Sequence, residues 1–184
     1  MITNNYKKLL KSYLIACLAK NTATSGTIND NLVSVNGTNI PVLNVYTAYV
    51  CGTGGGLGNS TLMRSGKAQN GITIGTGNTP ATADDRDMES LVGINNANVS
   101  GFISNKNFYI EGTKYCIDFE LLLTNKTSSA ITMREIGLVT ATSSQYSSES
   151  ANVLLDRTVL ETPIVLEPTV STPVKYTIKF DWDI

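Results

Sequence analysis

The opening stretch of the chain places apolar residues at Tyr6, Leu9, Leu10, Tyr13, Leu14, Cys17 and Leu18. Steps of three and four trace one stripe at the helical period, which predicts an amphipathic helix over residues 3–20. Thr3, Asn4 or Asn5 offers a side chain suited to cap its first turn. Lys7, Lys8, Lys11, Ser12 and Lys20 fall on the opposite, wet face. Asn21 to Gly26 then break the helix and form a joint. A lone helix of this length is marginal in water, so its stripe must be buried against something. The seven stripe residues are therefore the candidate protein interface, and the expectation is burial against another chain.

Beyond residue 26 the period shortens to two. Short β-like pieces at 32–35 and 40–50 flank Asn36-Gly37, a hairpin-type dipeptide. Ile72-Thr73-Ile74-Gly75 alternates briefly and leads into a turn-rich link. Segments 99–104 and 107–111 read as a hairpin pair. Segment 114–124 sets Tyr115, Ile117, Phe119, Leu121 and Leu123 on one face. After the polar turn at 125–129 come strands at 131–139, 153–160, 164–166 and 174–182, with Pro163, Pro168 and Pro173 in the gaps. The last strand alternates Val174, Tyr176, Ile178, Phe180 and Trp182 against Lys175, Thr177, Lys179, Asp181 and Asp183. One of its faces is buried and the other wet. Strands at intervals of roughly ten residues predict a mainly β fold, an antiparallel β-sandwich of immunoglobulin-like or jelly-roll-like kind. That sandwich takes residues 27–184, and the N-terminal amphipathic helix with its joint takes residues 1–26.

Composition narrows the chemistry. The chain has 184 residues and contains no His, which removes the commonest general base and the commonest metal ligand. Ser-His-Asp triads, Cys-His dyads and His-ligated metal centres are excluded. Lys and Arg number 14 against 15 Asp and Glu, a balance that argues against nucleic-acid coating or a polybasic membrane contact. Ser, Thr and Asn make up roughly 30% of the chain, above globular usage and suited to turns and solvated strand faces. No run of about 18 apolar residues occurs, so no membrane span is expected. No signal peptide is visible, and synthesis in the cytoplasm is expected. Cys17, Cys51 and Cys116 are widely spaced and form no CxxC pair, so they read as small buried apolar residues.

Candidate sites thin out on inspection. Residues 51–58 read CGTGGGLG, yet Leu57 and Asn59 stand where a phosphate loop needs its third Gly. Asp84, Asp85, Asp87 and Glu89 form the densest acidic cluster but lack the Gly and Glu positions of a calcium loop, and read as a solvated turn. Arg134 and Glu135 are adjacent on a strand and point to opposite faces, as do Asp156 and Arg157. These charges are expected to define strand faces or subunit contacts. No catalytic, cofactor or metal residue emerges, and no enzymatic activity is expected.

Four stretches carry a family resemblance: GITIGTGNTPATADDRDMESLV, FELLLTNKTSSAITMREIGLV, VLLDRTVLETPIVLEP and STPVKYTIKF. In this order and spacing they resemble a recurrent group of tailed-bacteriophage virion proteins, and the opening MITNNYKKLL is similar to the start of some of them. The resemblance implies a structural component of the capsid surface or of the tail and its fibres. Its implied partners are other virion proteins and copies of itself, with neither nucleic acid nor membrane, and its implied location is the virion. A second expectation is a sandwich whose loops at 51–60 and 143–150 recognise a host-surface glycan.

Overall fold

A computed structural model describes residues 2–5, 7–8, 31–41, 71–143 and 150–181. Eight strands appear among them: β1 (Asn31–Val33), β2 (Asn39–Pro41), β3 (Gly71–Gly75), β4 (Val99–Glu111), β5 (Lys114–Asn125), β6 (Ile131–Ser143), β7 (Ser150–Leu166) and β8 (Ser171–Asp181). The fold is mainly β and antiparallel throughout its ladders. One sheet has the order β3-β6-β7, a second β4-β5-β8, and β1 and β2 form a small hairpin. Gly37, with φ of 80°, sits in the β1–β2 turn, as the Asn36-Gly37 signal predicts. A two-residue turn at Gly112-Thr113 joins β4 to β5, and Gly112 takes the positive φ of 61° that its first position requires.

The period-two pattern explains the core. Ile117, Phe119, Leu121 and Leu123 of β5 are buried together with Val174, Tyr176 and Ile178 of β8. They belong to one apolar cluster with Ile72 and Ile74 of β3, Ile136 and Leu138 of β6, and Val153 and Leu155 of β7. A single core therefore draws on the facing sides of both three-stranded sheets. Each fully buried Leu or Ile in it stabilises by about 1.5–3 kcal/mol. The polar turn at 125–129 is organised by a buried side chain: Asn125 Nδ2 donates to Ser129 O and Leu166 O, and its Oδ1 accepts from Thr127.

Two strands are longer than their sequence pattern suggests. Segments 99–104 and 107–111 are not a hairpin pair but one strand, β4, interrupted by an irregularity between Ile103 and Asn105. The Ser104 hydroxyl donates to the Glu120 carbonyl there, which keeps the strand attached through the bulge. Likewise β7 runs through Pro163, where residues 160–163 oppose the single residue Arg134. A second bulge at Leu155 turns both Leu155 and Asp156 toward the core. Arg157 consequently shares the outer face with Leu154.

That outer face of the β3-β6-β7 sheet is covered. Val139 and Leu154 pack with Val35, Met88 and Leu91 in a second apolar cluster. The free edge of β7 is closed by Val35 N, which donates to Asn152 O, and by an antiparallel bridge from Ile2 to Asp156. The backbone of Thr3 adds a donor to Leu155 O. Capping an edge this way removes a template for unwanted strand pairing.

Asn4, Asn5, Lys7 and Lys8 have helical backbone, and Lys7 N donates to Thr3 O at 3.3 Å. Thr3 thus stands where the sequence places a cap, but its hydroxyl is spent elsewhere, donating to Leu154 O at 2.6 Å. The Asn5 amide makes a paired contact with the backbone of Val33, donating to its carbonyl and accepting from its N–H. The rest of the expected 3–20 helix, with all seven stripe residues, lies outside the described residues. No helix among the described residues is long and apolar enough to cross a membrane.

Candidate functional site

Arg157 is a buried cation held by three carboxylates and a backbone carbonyl. It lies on the outer face of β7 and is 3% exposed. Its Nε donates to Glu135 Oε2 at 2.7 Å, its Nη1 to Asp85 Oδ2 at 2.8 Å, and its Nη2 to Glu89 Oε2 and the Thr79 carbonyl. Register explains the first contact. Arg157 opposes Gly137 and Glu135 opposes Val159, so the two charges are diagonal neighbours on one face of the ladder. The adjacent pairs Arg134-Glu135 and Asp156-Arg157 do not pair within themselves, as expected. Of the two roles expected for these charges, strand faces or subunit contacts, Glu135 and Arg157 serve the outer face of their own sheet, where they neutralise each other inside the chain.

Glu135 is fully buried and is satisfied from several directions. Its carboxylate accepts the backbone N–H groups of Gly77, Glu89 and Ser90 besides the Arg157 guanidinium. Gly75 sits opposite Glu135 on β3, and a Cβ there would collide with the carboxylate and with the Ser90 carbonyl. Gly137 must likewise lack a side chain, because Met88 Sδ and the Asp156 carbonyl occupy that space. The two glycines clear a trough in which the buried charges lie under residues 76–92.

The acidic cluster read as a solvated turn is divided by this arrangement. Asp85 and Glu89 face Arg157, while Asp84 accepts from Asn4 Nδ2. Burial pushes the Asp85 carboxyl up, but hydrogen bonds from Arg157 and Thr82 outweigh it and hold the group below the ordinary aspartate range. Hydrogen bonds from the Thr79 hydroxyl and backbone N–H hold Glu89 low as well. Burial opposes the charge on Arg157, yet its bonds to Asp85 and Glu135 raise its pKa further. The sign follows. Groups whose folded pKa is depressed contribute stability above their unfolded value, near 4, and lose it as pH falls through the folded value. Thermal melting followed by circular dichroism is expected to stay level from pH 7 to about 5 and to fall below about 4.

The outer face of the β4-β5-β8 sheet is different in kind. Asp118 accepts from Lys175 Nζ at 2.7 Å and from the Thr177 and Tyr109 hydroxyls. Lys179 pairs with Glu111 at 2.6 Å. The Lys175 hydrogen bond leads the causes that hold the Asp118 carboxyl below its usual range. Both lysines are about half exposed or more, so these pairs add little to stability. Beside them the register aligns Phe102, Leu122 and Pro173 in one row across all three strands. Phe102 is 56% exposed.

Several sequence expectations can be placed. Cys116 is a free, buried thiol on β5, matching the reading of the cysteines as packing residues, while Cys17 and Cys51 lie outside the described residues. So do the Gly-rich segment 51–58 and residues 144–149 of the loop considered for glycan recognition. Among the described residues no group of three or more His, Cys, Asp or Glu side chains could hold a metal ion. Sequence reading missed the Glu135–Arg157 pair, whose only local trace is a lone carboxylate inside the apolar run of β6. It also missed the Phe102 row, for which a signal exists: three consecutive leucines at 121–123 in an alternating strand force one outward. No known protein family, curated protein or solved structure matches this chain.

Proposed function

We propose that this chain is a non-enzymatic structural component of a tailed-bacteriophage virion, attached to the capsid or tail by protein–protein contacts. The two three-stranded sheets form its β-sandwich, of immunoglobulin-like or jelly-roll-like kind. The N-terminal amphipathic helix attaches the sandwich to the particle or to sister subunits. Its stripe, Tyr6, Leu9, Leu10, Tyr13, Leu14, Cys17 and Leu18, is the attachment surface, and the mature protein resides in the virion.

The observation that carries this reading is where the resembling stretches fall. The first spans β3 and the loop that closes over Arg157, the second spans β5 and β6, and the last two are β7 and β8. The resemblance thus coincides with the framework and its internal clamp, not with a peripheral loop. The root of the N-terminal segment is also fixed to the sandwich, through Thr3 on β7 and Asn5 on Val33. A tether so rooted transmits load from the attached stripe into the sheet.

Replacing both Leu10 and Leu14 with Asp tests the reading. Burial of each leucine is worth about 1.5–3 kcal/mol, and a buried unpaired carboxylate costs more. The double variant is expected to keep its β spectrum and melting temperature but to be lost from self-assembly and from co-sedimentation with phage particles. A sharp fall in melting temperature with assembly unchanged would place the stripe in the chain's own core and overturn the attachment role.

A further inference from the structure

We propose that the outer face of the β4-β5-β8 sheet is a self-association surface, on which two copies stack about a twofold axis along the row Phe102–Leu122–Pro173. This surface is separate from the N-terminal stripe and does not depend on the virion reading.

The two sheets treat their outer faces unequally. On the β3-β6-β7 sheet, Val35, Met88 and Leu91 cover Val139 and Leu154. On the β4-β5-β8 sheet, Phe102 is 56% exposed, Pro173 is exposed and Leu122 is half-buried. An apolar row spanning a whole sheet on its solvent side marks an interaction surface better than scattered apolar residues do. Phe102 projects from the row as an aromatic anchor of the kind that dominates interface energetics.

Charge selects the occupant and its orientation. The row on one side of the apolar one is Ser100–Thr124–Ser171, and the row on the other side is Asn105–Glu120–Lys175. A twofold axis along the apolar row sets each of Phe102, Leu122 and Pro173 against its own copy. It also sets Asn105, Glu120 and Lys175 of one copy against Ser100, Thr124 and Ser171 of the other. Glu120 then meets Thr124 and Lys175 meets Ser171, and no like charges face each other across these rows. A twofold axis along β5 instead places Glu120 on Glu120 and Asp118 on Asp118, which like-charge repulsion disfavours. The first arrangement keeps the strands of the two copies antiparallel, within the roughly 30° range of aligned sheet packing. The face is thus self-complementary about the axis along the apolar row, the condition for an isologous dimer.

Two experiments on the full chain decide it. Sedimentation velocity over a concentration series is expected to show reversible dimerisation, and Phe102→Lys is expected to weaken it by roughly tenfold or more. Phe102 is solvent-facing, so the variant should retain the wild-type melting temperature, which the same samples report. Crosslinking of Pro173→Cys with a short bismaleimide, which spans the roughly 10 Å between packed sheets, reads the axis directly against the wild-type chain as background. A dimer linked through the substituted position is expected, because that position meets its own copy. A monomeric wild type, an unchanged dimerisation constant in Phe102→Lys, or no crosslink beyond the background would each overturn the proposal. These outcomes leave the Leu10 and Leu14 test untouched, so the two surfaces fail or stand separately.

Discussion

Replacing Arg157 with methionine is expected to lower the unfolding free energy by about 3–5 kcal/mol, the cost of leaving a buried charge without its partner. The stranded group is Glu135, which has no exposure and accepts its shortest hydrogen bond from Arg157 Nε. Asp85 loses its partner too, although at 18% exposure it recovers some hydration. Changing Glu135 to Gln in the same chain should return part of the loss, because the charge is removed and an amide oxygen at the Oε1 position still accepts from Gly77 and Ser90, although the Glu89 N–H loses its acceptor. Urea unfolding of the two single variants and the double variant gives the coupling. The acid-dependent fall in melting temperature should also become shallower in Arg157→Met, since Asp85 loses its Arg157 hydrogen bond and keeps only those from Thr82, while Glu89 stays held by Thr79. A loss below about 1 kcal/mol would mean that residues 76–92 hold to the sheet without the guanidinium.

Tyr176→Phe should cost about 2–3 kcal/mol, at the upper end for a hydrogen bond to a charged group. The Tyr176 hydroxyl reaches from β8 of one sheet to Asp156 Oδ2 on β7 of the other, at 2.6 Å. Tyr176 is entirely enclosed, and burial, with Asp156 second, raises its pKa well above the ordinary tyrosine value. The hydroxyl therefore keeps its proton at neutral pH and donates it to Asp156. The ring itself stacks on Phe119 at 6.1 Å between centroids, and that contact survives the substitution. What is lost is the donor alone, and Thr158 Oγ1 remains on the carboxylate. Chemical denaturation at neutral pH, compared with Phe119→Leu as a packing control, separates the two contributions.

The alternation of β5 and β8 was open to reading because each strand has one buried and one wet face. Ile117, Phe119, Leu121 and Leu123 point to the core as their spacing requires, and Lys175 and Lys179 stay in solvent. Bulges defeat the same logic. At Ser104 one extra residue makes a continuous β4 look like two strands, and at Leu155 another makes Leu154-Leu155-Asp156-Arg157 lose its period. The clamp was illegible for a further reason. Glu135 and Arg157 are 22 residues apart, and Arg157 and Asp85 are 72 apart. Each reads as a surface charge in its own strand or loop, because only the pairing register and the bare positions at Gly75 and Gly137 bring them together. The helical stripe at 6–18 lies outside the described residues, so its pattern stands as an expectation with a test attached.

The closure of the β7 edge by Ile2 and Thr3 has a consequence for the order of events during synthesis. Thr3 and Leu155 are separated by 152 positions, so Thr3 leaves the ribosome long before the strand that it binds. At 5–20 residues per second that gap is roughly 8–30 s, far longer than the microseconds in which a hairpin such as β4–β5 closes. The local hairpin is therefore old by the time the strap finds its seat. A nascent chain halted before residue 150 holds neither Arg157 nor the carbonyls that receive Thr3, and its N-terminal segment must wait unpaired. Docking of that segment therefore waits on β7, and a chain in which Thr3 has seated has already made the strand beneath it.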